Sequence, residues 1–402
     1  MSDRPLASPA RRLLVVAAGV VAISLLAWRL STLSEKTFFK PYDFVEYWAA
    51  GRLALEGQNP YDAEALLPLQ RRIGWESSSE ALMMWNPPWV LPLVMPLGAM
   101  NPAIGQLVWF ALSLGAVLLC ADYLWRAFGG SAEIRWVGWL AAVTFAPTLF
   151  VLMMGQVSAL LLLGFVGFAM GMKANRPALA GAAAALTALK PHLFAIFVVL
   201  FLLEALRGRR TLRAAVVGVI VLVAASLIPL IWVPDVWSDY VHATQKPSGG
   251  AHVEVADWSQ PTVGFWLRQL VPGHPFWAQF VPLGLALVAA PVYWCVRRRS
   301  WDWVEESPRL SLALALTACY GAWAFDLVIL LPAVVWMAVG VTRFGRPLIT
   351  ALFAGAYLLL NVACALTITR PLSQDNPWIA PVVLAGFAVV SFLRPRPITS
   401  SA

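Results

Sequence analysis

The segment LAGAAAALTALKPHLFAIFVVLFLLEALRGRR, residues 179–210, contains two apolar runs that meet at Lys190 and Pro191 and end in a cluster of arginines. A helix needs roughly 17 to 25 mostly apolar residues to cross a bilayer. Proline interrupts a helix because it lacks a backbone N–H group. We therefore interpret 177–190 and 191–206 as two membrane segments joined by a break at Lys190.

The whole chain shares this apolar character. Of its 402 residues, 60% are hydrophobic and 12% are charged, and the mean hydropathy is +0.72. Soluble domains contain about 25% charged residues. We predict a single integral membrane domain over residues 1–402, an all-α polytopic bundle of about 11–13 transmembrane helices. The first apolar run, Leu13 to Leu33, is interpreted as a signal anchor, because it is long and lacks an A-x-A cleavage site.

The net charge of +8 is concentrated in short loops between apolar runs. Cytoplasmic loops of membrane proteins carry an excess of Lys and Arg, so this pattern indicates orientation and not a nucleic-acid partner. The basic clusters are Arg11/Arg12, Arg126 with Arg135, Lys173 with Arg176, 207–213, 297–299, Arg343/Arg346 and 394–397. We expect both termini inside and the loops 34–85 and 234–274 outside, with short interfacial helices at 44–55 and 236–245.

The region 86–126 requires an odd number of crossings between an outer and an inner loop. Its first part, NPPWVLPLVMPLG, contains four prolines in about a dozen residues, which favours a re-entrant or partial helix before a full span at 103–125. A conventional hairpin is the alternative, and it would place Arg126 and Arg135 outside. The first interpretation gives about twelve crossings in total.

The unusual polar residues all fall at or near the predicted outer surface. They are Asp43, Glu46, Gln156, Lys190, His192, Ser259, Gln260 and Asp326. Ionisable groups at membrane depth are costly and usually face a water-filled cavity or each other, so this clustering predicts a functional site. The four histidines and four cysteines show no metal-ligand spacing. We expect no cofactor, and a divalent metal is not supported.

Each charged candidate has two interpretations. Asp43 either caps a solvated helix or is a general base, because desolvation at an apolar wall raises the pKa of a carboxylate. Glu46 is a secondary base or pairs with Arg52. Lys190 either extends its ammonium to the interface or binds an anionic group such as phosphate. Asp326 either pairs with Lys190 or a helix N-terminus, or contacts substrate.

The remaining candidate substrate contacts are Trp48, Tyr61, Gln156, His192, Ser259 and Gln260. Trp48 lies beside the acidic loop and can stack on a sugar face. Gln156 follows Gly155, so simple turn chemistry is the alternative. Ser259 can equally be a helix cap.

Six motifs, taken in order, resemble those of the membrane glycosyltransferases of family 87. They are YDFVEYWAAGRLALEGQNPYD, WNPPWVLPLVMPLG, GQVSALLLL, LAGAAAALTALKPHLFAIFVVL, WSQPTVGFWLR and YGAWAFDLVILLP. The resemblance covers roughly residues 40–340, and the first motif is the most specific. It implies a GT-C-like architecture, similar to that of polyprenol-phosphate-mannose-dependent mannosyltransferases. WNPP and AFD depart from the pattern of many relatives, which leaves the sugar and the acceptor open.

The resemblance also implies an activity. The donor is expected to be a polyprenyl-phosphate-linked sugar, mannose or a related hexose or pentose, and the acceptor a cell-envelope glycan or glycolipid. Asp43 is then the catalytic base, and Lys190 and neighbouring groups hold the lipid phosphate. The site is expected to face away from the cytoplasm, in the inner or plasma membrane, where membrane lipids surround the protein.

Two other classes of protein compete with this reading. A transporter or lipid flippase usually carries ionisable residues near the midplane on broken helices, often in repeated halves. We expect neither a repeat nor a buried charge pair at midspan, which disfavours that class. A non-catalytic assembly subunit would have no need of a carboxylate at Asp43.

The predicted orientation can be tested by cysteine labelling. In sealed cells, a thiol reagent should label Gln58→Cys and Gly250→Cys but not Arg209→Cys or Arg298→Cys, because only the first two lie in predicted outer loops. Labelling of either arginine position would contradict the orientation and, with it, an outer site.

Overall fold

The computed structural model of the chain describes residues 37, 39–76, 80–245, 260–368 and 377–393. All regular structure within these residues is helical, with seventeen α-helices, short 3₁₀ turns and no strand. The predicted all-α polytopic class is therefore confirmed. The predicted signal anchor and the candidate Ser259 lie outside the described residues.

The helices follow one another with short connections. The first nine are α1 (Phe44–Leu55), α2 (Ala63–Arg72), α3 (Leu91–Gly98), α4 (Pro102–Ala127), α5 (Arg135–Val143), α6 (Ala146–Met154), α7 (Ser158–Lys173), α8 (Pro177–Ala185) and α9 (Ala195–Arg207). The remaining eight are α10 (Arg209–Leu227), α11 (Val236–Gln245), α12 (Val263–Leu270), α13 (Val281–Arg297), α14 (Trp303–Thr317), α15 (Leu331–Arg343), α16 (Pro347–Ile368) and α17 (Ile379–Leu393). Helices α1 and α11 match the two short helices expected in the long outer loops.

Some helices are long and apolar enough to cross a membrane by themselves. Within the described residues these are Pro102–Ala127, Arg209–Ile231, Phe276–Ser300, Ala324–Arg343 and Pro347–Thr367. A sixth span results if α5 and α6, which bend by 58°, count as one. Shorter apolar helices are Pro88–Gly98, Ser158–Lys173, Pro177–Leu189 and Ile379–Leu393. The number of 11–13 crossings stays a prediction.

The proline-rich region before α4 forms a partial helix, as its composition predicts. A 3₁₀ turn at Pro88–Val90 leads into α3, which packs tightly along α1. The two backbones approach so closely that a Cβ at Gly51 would lie 2.4 Å from the Val94 carbonyl oxygen. This packing fixes α1, and with it Asp43, against the membrane helices.

The basic turns meet at one end of the bundle. Lys173 Nζ donates to Asp302 Oδ2 at 2.5 Å, and Arg343 Nη2 donates to the Gly129 carbonyl at 2.6 Å. Such contacts bring together turns that the charge pattern places on one side of the membrane. The Gly129 turn follows α4 directly, so α4 ends on this side. This position favours the partial helix followed by one full span over the hairpin alternative for 86–126.

Small residues let α8 and α10 cross at close range. A Cβ at Gly181 would lie 2.2 Å from the Ala214 carbonyl oxygen and 3.0 Å from Gly218 N. Because lipid tails offer no hydrophobic driving force between helices, close backbone packing of this kind holds membrane helices together. The crossing also fixes the direction in which α8 leads to Lys190.

Gly181→Ala should destabilise the protein by about 1 to 3 kcal/mol, because the added methyl group overpacks the α8–α10 crossing. Gly284→Ala in α13 is the matched control, since its Cβ would meet nothing within 4 Å. Thermal unfolding in detergent measures both. Equal melting temperatures for the two variants would contradict the proposed packing.

Candidate active site

Lys190 lies at a break in the helical backbone. Leu186–Leu189 and Pro191–Phe194 form 3₁₀ turns on either side of it. A break leaves carbonyl groups without helical partners, and at membrane depth these must be satisfied by other protein groups. Asn86 Nδ2 donates to the Leu189 carbonyl at 2.8 Å, and Trp89 Nε1 donates to the Ala188 carbonyl at 2.9 Å. The WNPPW motif thus supports the break that carries Lys190.

Asp326 is the partner of Lys190. The lysine Nζ lies 2.9 Å from Oδ1 and 3.0 Å from Oδ2 of the carboxylate. Ser158 Oγ donates to Oδ1 at 2.5 Å, and the Trp323 backbone N–H donates to Oδ2 at 2.9 Å. Four donations compensate for the burial of a carboxylate that is only 2% exposed. Pairing with Lys190, one of the two interpretations of Asp326, is therefore present in the structure.

This ion pair bears on two expectations from the sequence. Lys190 is 9% exposed and its ammonium is paired with Asp326 inside the protein, so it is not directed to solvent as the snorkelling interpretation requires. The structure also contains a buried charge pair between two breaks in the helical backbone, because Asp326 lies in the 3₁₀ segment Ala324–Leu330. The expectation that no such pair lies at midspan stays a prediction.

Asp43 occupies the N-cap position of α1, but its side chain makes no capping hydrogen bond. The capping interpretation is therefore wrong. Gln156 Nε2 instead donates to Asp43 Oδ2 at 2.7 Å, and Tyr47 OH donates to Gln156 Oε1 at 2.8 Å. Because the tyrosine hydroxyl donates to the amide oxygen, the amide NH₂ is directed at the carboxylate. The three side chains form a short relay that ends at Asp43.

Gly155 brings Gln156 into this relay. It ends α6 in the left-handed region, with φ of +73°, a conformation that glycine adopts without strain. A Cβ at Gly155 would also lie 2.8 Å from Phe44 Cβ. The turn between α6 and α7 can therefore approach α1 only with glycine at this position. Both interpretations of Gln156 are therefore present in the structure, because it follows a glycine turn and its side chain also contacts Asp43.

The two carboxylates of α1 share one electrostatic environment. Burial raises the pKa of Asp43, while the Gln156 hydrogen bond and the Lys190 ammonium offset part of that rise. Burial, reinforced by the negative charge of Asp43, raises the pKa of Glu46 well above its usual value. The alternative pairing of Glu46 with Arg52 is wrong, because Arg52 Nε contacts Glu56 Oε1 at 2.5 Å. Asp43, Glu46 and the Lys190–Asp326 pair thus form one cluster of interacting charges.

Other sequence candidates have structural partners. Trp48 Nε1 donates to the Met100 carbonyl at 3.1 Å, and Tyr61 OH donates to the Asn86 carbonyl at 2.9 Å. Both side chains are buried, so the structure gives them packing roles, and their contact with substrate stays a prediction. His192 stacks on Tyr320 with ring centroids 4.9 Å apart.

Gln260 is 1% exposed, and neither atom of its amide has a hydrogen-bond partner among the described residues. An unpaired buried amide is costly and is compatible with a role in ligand binding. Across the described part of the chain, no three His, Cys, Asp or Glu side chains gather closely enough to hold a metal ion.

Sequence reasoning missed three residues of the cluster. Tyr47 lies four residues after Asp43, a spacing that shares one helix face and was a usable signal. Ser158 belongs to the GQVS motif and Asn86 to WNPP, but neither carries a charge that draws attention. Their roles depend on tertiary contacts with Asp326 and the Lys190 break.

The order of these motifs along an all-helical membrane chain matches a known family. A family model described as glycosyltransferase family 87 covers residues 85–322. The chain belongs to glycosyltransferase family 87. This family 87 protein is therefore a membrane glycosyltransferase, and the transporter and flippase alternative is set aside. No curated protein and no solved structure matches the chain.

The family match has a bearing on the site. Gln156, Lys190 and Asn86 fall inside the matched region of this family 87 chain, whereas Asp43 and Asp326 fall outside it. The hydrogen bonds of Gln156 to Asp43 and of Lys190 to Asp326 connect the matched region to these two carboxylates. The structure therefore extends the candidate site beyond the matched segment.

Removing one member of the buried pair should be costly. Lys190→Met leaves the Asp326 charge uncompensated and should destabilise the protein by about 3 to 5 kcal/mol. The double variant Lys190→Met/Asp326→Leu should recover most of that loss, because it removes both charges. Thermal unfolding in detergent compares the two. A double variant no more stable than Lys190→Met would contradict a role for this pair in the fold.

Proposed function

We propose that this protein transfers a sugar from a polyprenyl-phosphate donor to a hydroxyl group of a lipid or glycan acceptor on the extracytoplasmic face of the cell membrane. The sugar is proposed to be mannose or a related hexose or pentose, and the acceptor a cell-envelope glycan or glycolipid. The observation that carries the proposal is the Asp43 carboxylate, oriented by Gln156 at 2.7 Å and raised in pKa by burial.

The reaction needs one proton acceptor and one stabilised leaving group. The acceptor oxygen attacks the anomeric carbon, a C–O bond forms, and Asp43 takes the hydroxyl proton. The anomeric C–O bond to phosphate breaks, and polyprenyl phosphate leaves with the bonding electrons. A base with a raised pKa is closer to the operating pH and transfers protons more effectively.

Lys190 supports the proposal as a group that steadies the departing phosphate. An ammonium has three N–H donors, and the two oxygens of Asp326 engage it at 2.9 and 3.0 Å. One N–H remains for a phosphate oxygen. Because the lysine is held in place by Asp326, its charge needs no reorganisation when negative charge develops on the leaving group.

A lipid-linked donor is consistent with the position of the cluster. Helix α7 begins at Ser158, which contacts Asp326. It ends at Lys173, which contacts Asp302 in the basic turns. Sixteen helical residues separate the two ends by about 24 Å. With the basic turns on the cytoplasmic side, the cluster lies near the opposite interface. Cytosolic nucleotide sugars do not reach that interface, whereas a polyprenyl phosphate already resides in the bilayer.

Asp43→Asn should reduce the rate of sugar transfer by about 10²- to 10⁴-fold, the usual cost of removing a positioned base. Expression and donor binding should stay near wild type, because asparagine keeps the size of the side chain. Glu46→Gln is the matched control and should cost less. A fully active Asp43→Asn enzyme would refute the mechanism, and an inactive one that no longer binds donor would reassign Asp43 to binding.

Tyr47→Phe should move the acid limb of the pH–rate profile to higher pH. Without the tyrosine O–H, the Gln156 amide can turn its oxygen toward Asp43, and a carboxylate that loses a donor has a higher pKa. The rate should therefore fall at low pH and approach that of wild type at high pH. Tyr357→Phe is the matched control, since its hydroxyl contacts the Ala141 carbonyl. An acid limb unmoved by Tyr47→Phe would contradict the relay.

A further inference from the structure

Hydrogen bonds join two basic turns into one surface at the end of the bundle opposite the candidate active site. Arg207 Nη1, at the end of α9, donates to the Arg298 carbonyl, after α13, at 2.6 Å. Trp294 Nε1 of α13 donates to Glu204 Oε1 of α9, also at 2.6 Å. These contacts join the α9–α10 turn to the α13–α14 turn.

Three acidic residues of this surface are paired with basic side chains, whereas Glu305, at the start of α14, is exposed and forms no ion pair with another described residue. Glu204 pairs with Arg207 at 3.2 Å, and Asp302 pairs with Lys173 at 2.5 Å. The buried Glu306 pairs with Arg297 at 2.9 Å and with Arg309 at 3.2 Å. In these two turns, the exposed arginines that form no ion pair with another described residue are Arg209, Arg210, Arg213, Arg298 and Arg299.

The start of α10 adds to this positive charge. The helix begins at Arg209, and the N-cap Gly208 offers no side-chain hydrogen bond to its first N–H groups. Such groups and the helix dipole favour an anion at this end. Five arginines and a helix N-terminus thus form a site for negative charge on one side of the joined turns.

An apolar face adjoins the arginines. Helix α9 packs against both α10 and α13. The exposed apolar side chains of the three helices include Leu202 and Leu206 on α9, Val216 and Ile220 on α10, and Val292 and Val296 on α13. A ligand that suits this surface has an anionic group next to long apolar chains.

We propose that this surface binds an anionic phospholipid of the leaflet on the basic side of the membrane. Its phosphate lies among Arg209, Arg210, Arg298 and Arg299, and its acyl chains lie along α9, α10 and α13. Basic pockets between helices on the cytoplasmic side bind anionic headgroups in this way. In the turns after α4 and α15, by contrast, Arg135 pairs with Asp122 and Arg343 donates to the Gly129 carbonyl, which leaves fewer unpaired arginines in either turn.

The experiment uses the full-length protein in a neutral detergent, with phosphatidylglycerol or phosphatidylcholine added. Native mass spectrometry measures the lipid retained. Wild type should retain phosphatidylglycerol in preference to phosphatidylcholine. Arg210→Gln/Arg299→Gln should weaken that retention about 25-fold, from about fivefold per arginine near a membrane surface.

The matched control is Arg176→Gln/Arg346→Gln, which removes two exposed arginines from other turns of the same end. It should retain phosphatidylglycerol within about twofold of wild type, since surface changes away from a site have small effects. Equal losses in the two double variants would show attraction by net charge alone and overturn the proposal. Equal retention of the two lipids by wild type would overturn it without any substitution.

Discussion

The buried ion pair between Lys190 and Asp326 constrains the rest of the structure. Buried charges in a membrane protein are stable when they are paired and hydrogen-bonded. The polar groups around Lys190 and Asp326 therefore also need hydrogen-bond partners. Ser158 and the Trp323 N–H donate hydrogen bonds to the Asp326 carboxylate. Asn86 and Trp89 donate hydrogen bonds to the carbonyl groups at the break that carries Lys190. Four separate segments of the chain are thereby held at one place.

Asp43 depends indirectly on the Lys190–Asp326 ion pair. Its own carboxylate is oriented by Gln156 and Tyr47, and the Lys190 ammonium offsets part of the cost of its burial. The Lys190 ammonium lowers the pKa of Asp43, and the negative charge of Asp326 raises it. Asp326 limits the influence of Lys190 by pairing with it. The proposed chemistry therefore follows from a balance of charges and not from one exceptional residue.

Local sequence predicted the elements of the fold and several members of the site. Length and hydropathy located the apolar helices, prolines located the partial helix before α4, and Lys190-Pro191 located the break. The site candidates could be named because charge is conspicuous in an apolar chain. The helix that begins at Phe44 could also be predicted, because its apolar and charged residues recur at helical spacing.

Partners distant in sequence could not be predicted in the same way. Lys190 and Asp326 are 136 residues apart, and Gln156 and Asp43 are 113 residues apart. Which side chains meet depends on how the backbones cross, and glycines such as Gly155 and Gly181 decide that through contacts invisible in a linear pattern. For the same reason, the sequence suggested that Trp48 and Lys190 were accessible, although both are buried.

A cryo-electron microscopy structure of the protein with a non-hydrolysable polyprenyl-phosphate sugar tests the proposed roles of Asp43 and Lys190 together. We expect the anomeric carbon beside the Asp43 carboxylate and a phosphate oxygen within hydrogen-bonding distance of Lys190 Nζ. A sugar phosphate bound away from both residues would contradict both roles.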